Sequence, residues 1–142
     1  MTVARNLGAA VIGIIVAMLA IEAVEMLGHL VYPPPTDIEF GDPEQVREFM
    51  ATLPVGSILF VGGAWMAGAF LGTLAGALTS TSKPLPYAIV IGGIVLAGAV
   101  TMLLILPHPR WFTIGAPVAV IVAAFLGMVF AARIRPSRKT TL

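Results

Sequence analysis

The 142-residue sequence contains no cysteine and carries little charge. The lack of cysteine excludes disulfides, thiolate metal ligands and thioether attachment of haem. Only 11% of the residues are charged and 58% are hydrophobic, whereas an average soluble protein has about 25% charged residues. Eight bases and seven acids leave a net charge of +1, which is too small to attract nucleic acid. A mean hydropathy of +1.00 therefore indicates a protein whose solvent is the lipid bilayer.

Cofactor fingerprints and nucleophile motifs are also missing from the sequence. The pattern therefore requires no cofactor, although it leaves the cofactor question open. An enzyme is the less favoured class, because no serine, lysine or metal triplet is positioned by sequence beside the histidines.

Long apolar runs separated by prolines predict four membrane-spanning helices. The predicted spans cover about residues 7–32, 54–78, 85–106 and 111–132. We therefore expect an all-α protein in which a four-helix transmembrane bundle forms a single integral membrane domain over residues 1–142.

The polar segment 33–53 between the first two spans carries five of the seven acids. Within it, Asp42 is a suitable helix N-cap and Pro43 suits the first helical turn. Apolar residues follow at helical spacing, at Val46, Phe49 and Met50. These features predict a short amphipathic helix in the first extracytoplasmic loop.

The distribution of bases predicts the orientation in the membrane. With the N-terminus inside, the cytoplasmic side collects six bases and the opposite side keeps only Arg47 and Arg110. This asymmetry predicts that both termini are cytoplasmic, most naturally in a prokaryotic plasma membrane. The six are Arg5, Lys83 and four in the basic tail 133–142, namely Arg133, Arg135, Arg138 and Lys139.

Small residues recur every fourth position in the second span, at Ala64, Gly68, Gly72 and Gly76. Such a stripe allows a second helix backbone to approach closely. The approaching helix belongs either to the same bundle or to a second copy of the chain. The stripe is therefore compatible with a homo-oligomer or a larger membrane complex as well as with a single bundle. The bilayer itself is the one partner that the composition implies.

The ionisable residues inside the first span are the main functional clue. Glu22, Glu25 and His29 fall at i, i+3 and i+7, within a wedge of roughly 60° on one helix face. Acids in hydrocarbon are costly, and their default interpretation is functional. The outer halves of the other segments supply supporting residues, which are Tyr32, Trp65, Thr101, His108, Arg110 and Trp111.

Three hypotheses compete for this polar cluster. In the first, Glu22, Glu25 and His29 form an outward-facing site for proton-coupled or cation-coupled transport. In the second, these three residues and His108 bind a metal ion through oxygen and imidazole ligands. In the third, the acids belong to a network, including a pair of Glu25 with Arg110, that fixes helix register in a structural or accessory subunit.

In outline the chain resembles the small multidrug resistance antiporters, which have four short spans and an intramembrane carboxylate in the first. The resemblance covers the bundle and Glu22 or Glu25, with Trp65 at most imitating an aromatic wall. It implies a homodimer in which the carboxylate binds protons or cationic drugs. The acidic outer segment, the proline-rich third loop and the one-way charge bias depart from that family, so the resemblance does not extend to membership.

Overall fold

The computed structural model describes residues 2–39 and 41–135, and these ranges contain five helices and no strand. Four of the helices are long and apolar enough to cross a membrane. The all-α expectation with four such helices is thereby confirmed. The helices are α1 (Thr2–Val31), α2 (Pro43–Thr52), α3 (Val55–Thr79), α4 (Leu85–Ile105) and α5 (Arg110–Ile134).

Helix α1 begins at Thr2 rather than near residue 7, and its second turn is hydrogen-bonded to the loop between α3 and α4. The Asn6 side chain accepts hydrogen bonds from the backbone N–H of Thr81 at 3.0 Å and from its hydroxyl at 2.9 Å. The chain leaves α1 after Val31, where Pro33, Pro34 and Pro35 remove three amide donors.

Helix α2 forms where the capping pattern predicted a helix. The Asp42 carboxylate accepts a hydrogen bond from the backbone N–H of Glu44 at 2.9 Å, and Gln45 Nε2 donates to the same carboxylate at 3.1 Å. Val46 is buried, while Phe49 and Met50 are half-buried. The location of α2 outside the cytoplasm stays a prediction.

Helix α3 is the centre of the bundle and packs against α1, α4 and α5. A Cβ atom on Gly72 would lie 2.7 Å from the Gly13 carbonyl oxygen and 2.6 Å from the Ala17 Cβ. The small-residue stripe on α3 therefore packs against α1 within the same chain, where the two backbones nearly touch.

The end of the bundle that carries the α3–α4 loop is tied together by polar contacts. The Arg135 guanidinium donates to the carbonyl oxygens of Ser80 and Ser82, and to the Ser80 hydroxyl at 2.8 Å. This arginine is one of the bases of the predicted cytoplasmic tail. Arg138 and Lys139, which the orientation argument also uses, lie outside the described residues.

Candidate functional site

A cavity of about 520 Å³ lies between α1, α3 and α4, at the end of the bundle near α2. This volume falls within the usual range of small-molecule sites. Its wall is mostly aliphatic and aromatic, with a few polar groups near the α2 end. The lining residues are Ile14, Ala17, Met18, Ile21, Glu25, Gly28, His29, Met50, Leu53, Ser57, Ile58, Phe60, Val61, Trp65, Ile91, Ile94, Val95, Gly98, Ala99, Met102, Leu106 and His108.

The position of the cavity follows from how α1 packs. Helix α1 is buried at Ala9, Gly13 and Ala17 in its first half, and then only at Gly28 near its end. A Cβ on Gly28 would lie 3.0 Å from the Phe60 Cβ, so α1 also touches α3 there. Between these contacts the side of α1 that faces α4 stays uncovered, and this gap is the cavity.

The two acids of α1 have different surroundings. Glu25 is half-buried and lines the cavity, whereas Glu22 is exposed and does not line it. At about 100° per residue, the two side chains are separated by roughly 60° around the helix axis. That rotation is enough to carry Glu22 past the edge of the cavity, so the two carboxylates do not share one site as the spacing suggested.

Two histidines lie at the α2 end of the cavity. His29 is exposed, one turn beyond Glu25, and His108 is half-buried in the loop between α4 and α5. Nδ1 of His108 lies 2.9 Å from the Leu106 carbonyl oxygen. Because a carbonyl can only accept, Nδ1 carries the proton, and Nε2 is the acceptor when the ring is neutral.

An aromatic row connects the loop with the cavity wall. The His108 ring stacks on Phe112 with centroids 5.2 Å apart, and Phe112 contacts Trp65 at 5.7 Å. Trp65 is only 6% exposed and lines the cavity. The row fixes the position of His108 relative to α3, since each ring is held by its neighbour.

Four residues that the sequence grouped with this site do not line the cavity. Tyr32 packs edge-on against Phe60 at 6.1 Å. Thr101 is exposed, and its hydroxyl donates to the Ala97 carbonyl oxygen at 2.8 Å. The remaining two, Arg110 and Trp111, are exposed at the start of α5.

The packing does not form the Glu25–Arg110 pair or the metal site that the sequence suggested. Helices α1 and α5 make no contact in the described structure, so packing does not bring Arg110 to Glu25. Within residues 2–39 and 41–135, no three side chains of histidine, aspartate or glutamate form a group that could hold a metal ion. The cavity therefore unites Glu25, His29, Trp65 and His108, without Glu22.

Sequence reasoning missed most of the aliphatic wall. Gly98 and Ile91 on α4 carry no local signal, because their role depends on which face of α4 turns toward α1. Met50 belongs to the predicted apolar face of α2, and it lines the cavity together with Leu53.

Comparison with known proteins adds nothing to the geometry of the cavity. No family model, no curated protein and no solved structure matches it. The outline resemblance to the small multidrug resistance antiporters thus has no counterpart among these comparisons.

Proposed function

We propose that the chain is a small integral membrane protein that binds an organic cation at Glu25, in exchange for a proton. One observation carries the proposal: Glu25 is the single acidic side chain among the described residues that line the cavity. A half-buried carboxylate in an otherwise apolar wall is the natural counter-charge for an ammonium group.

The exchange follows from the energetics of a charge in an apolar wall. With the cavity empty, an ionised Glu25 has no bound cation beside it, and the mostly apolar wall favours the neutral acid. A bound ammonium supplies the counter-charge and favours the carboxylate, so binding releases the proton. His29 and His108 are the other titratable groups among the described lining residues, and they are suited to pass protons between the cavity mouth and Glu25.

We also propose that the cavity opens outward and that both termini are cytoplasmic. The α2 end of the bundle holds Arg47 and Arg110, while the other described bases belong to the opposite end, namely Arg5, Lys83, Arg133 and Arg135. The positive-inside rule then puts the α2 end, with the cavity mouth, on the outer side.

Proton release upon addition of butylammonium tests the exchange. In weakly buffered nanodiscs, the wild-type protein should release about one proton per bound cation at saturation, because one carboxyl changes state. Glu25→Gln should abolish this release. Glu22→Gln is the matched control on the same helix and should retain it. Equal release from both variants would reject Glu25 as the exchange site.

A second function, as a subunit of a larger membrane complex, is favoured by the exposure of Glu22. This carboxylate lies on a helix long enough to span the membrane, outside the cavity. An acid at the centre of a spanning helix costs roughly 2.5 to 3.5 kcal/mol on insertion scales, so a polar group of a neighbouring helix would stabilise it. Glu22→Gln should then lower the mass of the assembly in native mass spectrometry from mild detergent. An unchanged mass would contradict a role of Glu22 in assembly with another subunit.

A further inference from the structure

We propose that the cavity is a slot for one long-chain alkylamine, with the amine at Glu25 and the chain extended along the seam between α1 and α4. The inference rests on the proposed binding of a cation at Glu25, and it adds the shape of the cation and its route of entry. Three features of the cavity wall carry it, namely its length, its closed end and its open side.

The apolar part of the slot is long. On α1 it extends from Glu25 to Ile14, and on α4 from Met102 to Ile91. Each stretch covers a sequence separation of eleven residues, or about 16 Å at the helical rise. No other charged side chain occurs among the described residues that line the cavity. A compact cation would leave most of this length empty, whereas a chain would fill it.

Ile91 closes the far end of the slot. Its side chain is 0% exposed and fits where α1 and α3 present three glycines instead of side chains. A Cβ on Gly72 would lie 3.0 Å from Ile91 Cγ2, and one on Gly76 would lie 2.7 Å from Ile91 Cδ1, while Gly13 meets the same methyl group. An extended chain advances about 1.2 Å per bond, so the slot holds about 13 carbons beyond the amine.

The side of the slot is open to the lipid. Helix α1 packs mainly on α3 and only sparingly on α4. Gly98, on the α4 wall, is exposed, and a Cβ placed there would have no neighbour within 4 Å. The amine is therefore expected to enter from the bilayer. Lipid tails and the slot are equally apolar, so selectivity comes from Glu25 and from the fit of the chain.

Tryptophan quenching tests the position of the chain. Trp65 lines the slot and Trp111 does not, so Trp111→Phe leaves a single reporter in the slot. Dodecylamine brominated near the middle of its chain, supplied in the vesicle lipid, should quench Trp65 with a saturable dependence. The matched blocking variants are Gly98→Phe, which fills the slot, and Gly93→Phe, an exposed position of α4 outside the lining that also has open space.

We expect Gly98→Phe to weaken this quenching on the order of 10- to 100-fold, as overpacking of a filled site would, and Gly93→Phe to leave it unchanged. Equal quenching in both variants would show that the amine lies in bulk lipid and would overturn the inference. Butylammonium-driven proton release is measured in the wild-type protein and in Gly93→Phe, and it should occur in both. If proton release occurs while Gly98→Phe does not change the quenching, the binding of a cation at Glu25 is supported and the slot for an alkyl chain is rejected.

Chain length gives an independent measurement. The affinity of the amine, measured by quenching and expressed as its concentration in the lipid, should increase with chain length up to about 13 carbons and then stay constant. Continued improvement with longer chains would contradict the closed end at Ile91.

Discussion

Glu22 and Glu25 show how strongly function at the residue scale depends on a small rotation. Both are acids in the same apolar helix, one turn apart, yet one is exposed and the other lines a cavity. The contacts at Gly13, Ala17 and Gly28 determine this difference, because they fix the rotation of α1 against α3. Glycines that touch another backbone are therefore as important for the site as its polar residues.

Gly72→Ala should destabilise the protein by about 1 to 3 kcal/mol, because the new methyl group has no room between the Gly13 carbonyl and Ala17. Tryptophan fluorescence during heating in detergent would measure the loss as a lower unfolding temperature. Gly63→Ala is the control, since its Cβ would meet nothing within 4 Å. If the two variants unfold at the same temperature, the close approach of α1 and α3 is not a source of stability.

At the scale of elements, α2 is the part of the fold that local sequence explains most fully. Its N-cap, its proline and its buried Val46 all occur where the pattern predicted them. Its relation to the cavity was not predictable in the same way. Met50 lines the cavity beside residues of α1, α3 and α4, and its position on the apolar face of α2 does not by itself specify that neighbourhood.

Asp42→Ala should loosen α2, since the loss of an N-cap costs about 1 kcal/mol. Hydrogen exchange at the amides of residues 44–48 should become faster, while the long helices keep their protection. Asp37→Ala provides a control, because the Asp37 side chain accepts only a local hydrogen bond from the Thr36 hydroxyl among the described contacts. Equal exchange in the two variants would contradict the capping role of Asp42.

For the whole molecule, the important property is the opposite character of the two ends of the bundle. The end with the α3–α4 loop is closed by hydrogen bonds of Asn6 and Arg135, while the α2 end opens into the cavity. A bundle closed at one end and open at the other has a direction, so the side of the membrane that the α2 end faces decides on which side Glu25 exchanges protons.

Accessibility labelling would measure this orientation directly, since the chain has no cysteine of its own. Thr36→Cys, in the segment before α2, should react with an impermeant maleimide in intact cells. Thr2→Cys, at the start of α1, should react only after lysis. Both positions are exposed, so reactivity reports topology rather than burial. The reverse result would mean that the cavity faces the cytoplasm.

The sequence by itself determined the number, approximate bounds and apolar character of the long helices, together with the cap of α2. These features depend on composition and on residues within a few positions of each other, such as prolines after an apolar run or an aspartate before a helix. Only the tertiary structure decided that Glu25 rather than Glu22 lines the cavity, that Ile91 closes it and that Gly98 leaves it open. Each of these depends on the rotation of one helix against another, and that rotation is fixed by contacts between residues far apart in the chain, as between Gly13 and Gly72.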